Sequence, residues 1–209
     1  MTSLSRRRQN IPQVLRGMFA CVKSTLVLLT ALVFSFTALA SVDERGYDEH
    51  TIRASDFPAV APQFEQYRTI KAFKGHVAPA DVKTHPLARL FRTAISEGAK
   101  RGPDFAGHYT VVWWGCGTDC RALAIVDANT GKVHFPSNLS NVDNINIAYE
   151  EFEPPDGRLV KYRLESRLLI VIGGINEEPA RRGVSYFVWS GERLRRIMFV
   201  PKPYGENAD

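Results

Sequence analysis

From residue 106 to the end of the chain, hydrophobic and polar positions alternate in short runs that are separated by turn-forming residues. Alternation with a period of two indicates β-strands, and clusters of glycine, proline, asparagine and aspartate mark the turns between them. The run 168–175 is hydrophobic on both faces, which is typical of a strand in the middle of a sheet. The pattern predicts strands over 107–115, 121–127, 133–135, 145–149, 159–164, 168–175, 184–189 and 194–200.

Only one stretch of the chain after residue 40 has a strong helical period. Hydrophobic residues recur there at i, i+3, i+4, i+7 and i+8, as Leu87, Leu90, Phe91, Ala94 and Ile95. Such spacing places them on one face of an amphipathic helix. Pro86 suits the first helical position, and Gly98 or Gly102 can end the helix.

The order of these elements predicts an α+β fold. It is mainly an antiparallel β meander of about six to eight strands with one N-terminal amphipathic helix, and a meander of this size can curl toward a barrel. Residues 41–82 are rich in proline, alanine and aspartate and have no sustained period. We therefore expect them to form an extended lead-in that packs loosely on a single domain of residues 83–209.

Residues 1–40 have the layout of a secretory signal peptide. Basic residues precede an apolar run of 15 residues at 25–39, and Ala38-Leu39-Ala40 matches the small-x-small pattern of a cleavage site. A permanent membrane anchor needs about 20 apolar residues, so cleavage after Ala40 is the favoured interpretation. Lipidation is rejected because Cys21 lies before the apolar run. The sequence predicts a periplasmic or secreted protein with no stable membrane anchor after cleavage.

The basic charge of the chain belongs to this leader. It holds five of the 27 basic residues and none of the 22 acidic ones, so the predicted mature protein carries 22 of each. Nucleic-acid binding usually needs a basic excess that neutralises phosphates. A nucleic-acid partner is therefore not predicted.

The two cysteines after the leader, Cys116 and Cys120, predict a disulfide in an oxidising compartment. In an extended strand these residues would lie roughly 13 Å apart, whereas a disulfide tolerates a Cα separation of up to about 7 Å. The chain must therefore turn at 117–119, and Gly117 is suited to a positive φ. This arrangement predicts a β-hairpin whose tip is fixed covalently.

Placing Cys116 opposite Cys120 sets the register of that hairpin. One face then carries His108, Thr110, Val112 and Trp114 against Ala122, Ala124 and Val126, and the other carries Tyr109, Val111 and Trp113 against Leu123 and Ile125. Both faces are apolar, so both are expected to be covered and both tryptophans to be buried. Space beside the Trp114 ring would otherwise form a ligand groove. The candidate binding residues are Trp114, Thr118, Asp119 and His108.

No motif in the sequence identifies a catalytic residue, a metal site or a cofactor, and none is predicted. Two alternatives to a binding protein stay open. One is a small hydrolase with a dispersed site formed by His108, Glu177 and the Arg181-Arg182 pair. The other is a thiol–disulfide protein that uses Cys116 and Cys120, although the CxxxC spacing differs from the CxxC of thioredoxin-like sites.

Four segments resemble a family of small exported bacterial proteins that has no assigned function. They are FAGHY at 105–109, WGCGTDC at 114–120, DANTGK at 127–132 and SRLL at 166–169. The resemblance covers roughly residues 105–175, and the cysteine segment is its most specific part. It implies a location in the Gram-negative envelope and brings no activity or ligand. The sequence therefore favours a non-enzymatic binding module, whose partner is another envelope protein or a small ligand.

Overall fold

The computed structural model describes residues 49–69, 73–152 and 159–204. The chain divides into two units, Met1–Glu49 and His50–Asp209, and the elements described below belong to the second. The predicted signal peptide and its cleavage site lie outside the described residues. Within the described ranges, no helix is long and apolar enough to span a membrane.

The second unit is built on one antiparallel sheet of eight strands. In chain order they are β1 (Tyr109–Gly117), β2 (Cys120–Asp127), β3 (Val133–His134), β4 (Asn141–Asp143), β5 (Val160–Tyr162), β6 (Leu168–Ile175), β7 (Glu178–Trp189) and β8 (Leu194–Pro201). Their spatial order is β1-β2-β4-β6-β7-β8, with β3 paired to β2 and β5 paired to β6. This is the predicted meander. It stays open, with β1 and β8 as its edges, so the barrel is not closed.

One predicted strand is wrong. Residues 145–149 form no strand, and β4 lies a few residues earlier. Ile147 instead makes an isolated parallel bridge to Ile52. The alternation of Ile145, Ile147 and Tyr149 gave no sign of this, because Ile147 is buried by a segment far away in sequence, whereas Ile145 and Tyr149 are exposed.

The predicted helix is present as two short helices. These are α1 (Pro86–Leu90) and α2 (Arg92–Ala99), separated at Phe91, whose φ and ψ are −101° and 24°. The His85 side chain caps α1 by accepting a hydrogen bond from the Leu87 N–H. Because of the break, the predicted hydrophobic face is not continuous, and Leu87 and Leu90 are exposed.

The sheet curls so that its inner face encloses the main core. Tyr109 on β1 meets Trp189 on β7 edge to face, with ring centroids 5.3 Å apart. The inner core comprises Phe105, Tyr109, Val111, Leu123, Ile125, Leu139, Val142, Val160, Leu169, Val171, Ile175, Phe187, Trp189 and Leu194. Edge strands that are far apart in the sheet thus contribute to one hydrophobic core.

Two regions of the outer face of the sheet are covered by different parts of the chain. The two helices cover the outer face of β1 and β2, where Ala88, Ile95 and Ala99 pack with Val112 and Val126. A Cβ on Gly98 would lie 2.4 Å from the Val112 Cγ1, so α2 approaches the sheet as closely as a glycine allows.

The outer face of β6, β7 and β8 is covered by the described part of the lead-in. Ile52 is fully buried, and Phe57 contacts the rings of Phe152 and Tyr186 at 5.9 and 6.4 Å. The Ser166 hydroxyl donates to the Phe64 carbonyl at 2.8 Å. Ile52, Phe57 and Phe64 therefore pack against the sheet or its loops, whereas most of residues 49–69 stay partly or fully exposed. Because the segment lacks a period, the packing of these three residues could not be read from their spacing.

Candidate functional site

The first hairpin has the predicted register over most of its length. Trp113 pairs with Leu123, Trp114 pairs with Ala122, and both predicted faces are present. At the tip the register shifts by one residue, so that Gly117 and not Cys116 is the partner of Cys120. Cys116 is the extra residue of a β-bulge, which increases the local twist of the strand.

The disulfide between Cys116 and Cys120 is present, with a Cα separation of 5.2 Å. Two residues of the turn have positive φ, Gly117 at 149° and Asp119 at 52°. The Asp119 carbonyl accepts a hydrogen bond from the Asn144 N–H at 2.9 Å. The exposed tip is therefore fixed twice, by the disulfide and by its contact with the loop after β4.

A groove of about 470 Å³ lies beside this tip. It is lined by Trp113, Trp114, Gly115, Gly117, Asp119, Cys120, Arg121 and Asn144. The lining combines two aromatic rings, an amide and charges of both signs. Two exposed hydrophobic residues of the loop after β4, Ile145 and Tyr149, follow Asn144 in the chain. The arrangement can hold a ligand that presents both apolar and polar groups.

The environment of the Tyr149 hydroxyl beside the groove is set by its partial burial and by the charges of Asp119, Arg121 and Asp143. Burial raises the pKa of Tyr149, and the negative charge of Asp119 raises it further, whereas Arg121 lowers it. The Tyr149 hydroxyl donates to the Asn144 carbonyl at 3.1 Å. Tyr149 therefore belongs to the same surface as the groove residues Asp119, Arg121 and Asn144.

The space beside Trp114 on the outer face of the hairpin is filled. Phe91 stacks on the Trp114 ring at 4.7 Å, and Phe135 meets it edge to face at 6.5 Å. This face is covered, as the sequence favoured, and the alternative of a ligand groove between Trp114 and the two alanines of β2 is not found among the described residues. Trp113 and Trp114 are half-buried rather than fully buried, because each packs on a core and also lines the groove at the tip.

Sequence reasoning named Arg182 only as part of a dispersed hydrolase site and missed that this side chain organises the loop beside the groove. Arg182 is only 1% exposed and donates to the carbonyls of Ile145, Asn146 and Lys202. Its guanidinium also lies over the Tyr204 ring, 4.4 Å from the centroid. A buried arginine is rare unless its charge is compensated. Here three carbonyls and an aromatic face surround it.

The same cluster contains a buried carboxylate. Asp143 is 8% exposed and accepts a hydrogen bond from the Tyr204 hydroxyl at 2.9 Å. Burial and this hydrogen bond raise the pKa of Tyr204 to about 12. A Cβ on Gly174 would lie 1.9 Å from the Asp143 Oδ2, so only glycine leaves room for the carboxylate. Asp143 directly precedes Asn144, and the cluster therefore fixes the loop that borders the groove.

His108, the remaining candidate binding residue, lies at the other end of the hairpin. Its Nε2 is 3.8 Å from the Asp127 Oδ1, and its ring packs on Tyr109. β2 runs for eight residues between Cys120 and Asp127, so the two ends are roughly 23 Å apart. The structure brings Trp114, Thr118 and Asp119 to one end and leaves His108 at the other.

The residues of the dispersed hydrolase site are not assembled either. Glu177 lies near the disulfide, with its Oε1 4.0 Å from the Cys120 Sγ. Arg181 forms an ion pair with Glu178 at 3.0 Å, and Arg182 is buried in the cluster described above. His108 and Glu177 thus occupy opposite ends of the hairpin.

We expect the stability of the protein to depend on the protonation of His134 at the His108 end. Burial lowers the pKa of His134 from 6.5, the Lys132 charge lowers it further, and Asp127 and Glu192 oppose the shift. The folded state therefore favours the neutral imidazole. The stability that this preference contributes is present above the ordinary pKa of histidine and is lost as the pH falls through the lowered pKa of the folded state. The melting temperature should fall as the pH is lowered from about 7.5 to about 5.5. The melting temperature of the His134→Phe variant should fall less over the same pH range. An identical fall in the variant and the wild type would contradict a role for His134.

We expect the disulfide to contribute about 2 kcal/mol to the free energy of unfolding, because it closes a loop of only a few residues. Replacing both Cys116 and Cys120 with serine should therefore leave the domain folded but less stable. Urea denaturation followed by circular dichroism measures the difference. The wild-type protein treated with a reductant is the control and should lose the same stability. An unfolded double mutant would show that the disulfide holds more than the tip.

Within the described residues, no group of three histidine, cysteine, aspartate or glutamate side chains is placed to hold a metal ion. No protein-family model matches the chain, and no curated protein and no solved structure matches it. The interpretation of the site therefore depends on its own geometry.

Proposed function

We propose that this protein is a non-enzymatic binding protein of the bacterial envelope, exported to the periplasm or secreted, and that it binds its partner in the groove at the disulfide-linked tip. The observation that carries this proposal is the groove of about 470 Å³ beside a tip that a covalent bond holds in place. A fixed surface loses little conformational entropy on binding, which favours affinity. The partner is an envelope protein or a small ligand.

The surroundings of the sulfur atoms favour a structural disulfide over a redox-active one. Reactive cysteines are usually found beside positive charges or helix N-termini, which stabilise the thiolate. Here the Glu177 carboxylate lies 4.0 Å from the Cys120 Sγ. A negative charge at that distance disfavours a thiolate. This supports a role for the disulfide in holding the shape of the groove.

Site-specific photo-crosslinking in intact cells tests the proposal. A photoreactive phenylalanine analogue at Thr118, in the exposed tip, should give a discrete adduct. The same analogue at Thr130 is the matched control, because Thr130 is exposed in the turn at the opposite end of β2. Adducts are compared by gel electrophoresis and by intact mass, which detects a small ligand as well as a protein.

The groove residues provide the second arm of this experiment. Arg121→Gln removes a charge from the groove without touching Thr118, and it should abolish the adduct formed at Thr118. Identical adducts from Thr118 and Thr130, or an adduct that is insensitive to Arg121→Gln, would contradict the proposed site.

A further inference from the structure

The edge of β1 is protected along its first half by other parts of the chain. In an antiparallel pair, residues of one strand point their N–H and C=O groups alternately toward the partner and away from it. Tyr109 and Val111 point away from β2. The Tyr109 carbonyl accepts from the Phe105 N–H, the Val111 N–H donates to the Asp104 carboxylate at 2.8 Å, and the Val111 carbonyl accepts from Arg101 at 3.3 Å.

The same alternation places the N–H and C=O groups of Trp113 and Gly115 on the outer edge. Trp113 faces Leu123 and Gly115 faces Arg121 in the register, as Val111 faces Ile125. The Leu123 N–H donates to Ser140 on the far side of β2, as expected for a pair that exchanges no hydrogen bonds. No described residue donates to or accepts from these outward groups of Trp113 and Gly115.

This open stretch of edge lacks the usual protection against pairing. Native proteins commonly place charged residues or proline on exposed edge strands. The opposite edge of the sheet, β8, carries the exposed Arg195 and Arg196. Residues 113–117 of β1 are two tryptophans, two glycines and a cysteine, with no charge and no proline. Trp113 and Gly115, which carry these open groups, also help to line the groove.

We infer that the groove binds a short extended segment of another polypeptide, which pairs with β1 at Trp113 and Gly115. Main-chain hydrogen bonds to an edge give affinity in this mode, and pockets for alternate side chains give specificity. The open edge extends over roughly 7 Å between its two residues, which suits a short segment. Asp119, Arg121 and Asn144 line the groove, so a segment with a polar side chain at this point is favoured. This inference rests on the proposed function.

Gly115 allows a sharp test, because its N–H does not belong to the β1–β2 ladder. Proline removes that donor and blocks strand addition, while an edge position tolerates it. A Cβ on Gly115 meets no atom within 4 Å, and its φ lies outside the positive range. Alanine is the matched control, since it adds a Cβ and keeps the N–H. Melting temperatures of both variants establish that the hairpin is intact.

The probe is a random dodecapeptide library, selected on the purified protein. Peptides that survive selection should bind Gly115→Pro at least about tenfold more weakly than Gly115→Ala. Asp119→Asn and Arg121→Gln should also weaken them, because these residues line the groove. Equal affinity for the proline and alanine variants, with loss in the groove variants, would overturn strand addition and leave the proposed site standing. Peptides whose affinity is unchanged by the groove variants would overturn both the strand addition and the proposed binding site.

A second measurement uses the peptide and does not depend on the folding of a variant. Each backbone N–H of a selected peptide is methylated in turn. Strand addition predicts that affinity is lost at every second position, because only alternate N–H groups face β1. Losses without this period would overturn the inference. A purified protein that sediments as a dimer without peptide, and as a monomer after Gly115→Pro, would assign the edge to a second copy and also overturn it.

Discussion

Replacing Arg182 with methionine is expected to lower the free energy of unfolding by about 3 to 5 kcal/mol. The substitution removes the donor to three carbonyls and a positive charge that interacts with the buried Asp143 carboxylate. Methionine fills much of the volume, so the loss measures the polar contacts more than a cavity. Urea denaturation followed by circular dichroism gives the value.

Arg181→Met is the matched control, because Arg181 is the neighbouring residue and its ion pair with Glu178 is partly exposed. Exposed ion pairs contribute between about 0 and 1 kcal/mol, so this variant should be close to the wild type. Similar losses in the two variants would show that the buried cluster does not fix the loop after β4. Tyr204→Phe removes the hydroxyl that donates to Asp143, and it should lower the free energy of unfolding by less than Arg182→Met does.

Replacing Trp189 with alanine is expected to cost about 3 to 5 kcal/mol, the usual range for a fully buried large aromatic residue. Trp189 is 1% exposed and packs edge to face on both Tyr109 and His134, with ring centroids 5.3 Å apart in each pair. Its loss would open a cavity where β1 meets β7. The free energy of unfolding should be measured by circular dichroism, since the substitution also removes a fluorophore.

The other two tryptophans give an internal comparison for this result. Trp113 and Trp114 are half-buried, so alanine at either position should cost clearly less than alanine at Trp189. Equal losses at all three positions would contradict the curled sheet and the shared role of Trp113 and Trp114 in core and groove. A neutral Trp189→Ala would contradict the inner core itself.

The sequence predicted the first hairpin well for a physical reason. The close pair of cysteines allows one turn, and the turn fixes which residues of two alternating strands face each other. The register of Trp113 and Trp114 followed from that constraint. The bulge at Cys116 did not follow, because a one-residue shift at the tip leaves the hydrophobic alternation of the strands unchanged.

The parts that the sequence did not predict depend on contacts between distant segments. Ile52 and Phe57 are separated by no regular period, yet they pack on the sheet because β6 and β7 leave an apolar outer face. Arg182 follows another arginine and resembles a surface residue, but its partners are carbonyls of a loop and of the strand end at Lys202. Local patterns carry no information about such partners.

The sequence favoured a covered outer face at Trp114 and offered a ligand groove beside that ring only as the alternative. Phe91 and Phe135 fill the space beside Trp114, and the observed groove lies at the tip of the hairpin instead. The observed groove needs Asn144, which follows β4 and reaches the tip through its hydrogen bond to Asp119. That approach could not be anticipated, because the strand predicted at 145–149 would have carried Asn144 elsewhere.

Amide hydrogen exchange tests the central claim, that the ligand binds at the disulfide-linked tip of the hairpin, most directly. Exchange is recorded by NMR for the purified protein alone and with a peptide selected from the random library. We predict that exchange slows at Trp113 and Gly115, which have no acceptor in the described structure, and in the loop at Asn144. Protection confined to the opposite end, around His108 and Ala128, with Trp113 and Gly115 unchanged, would contradict the claim.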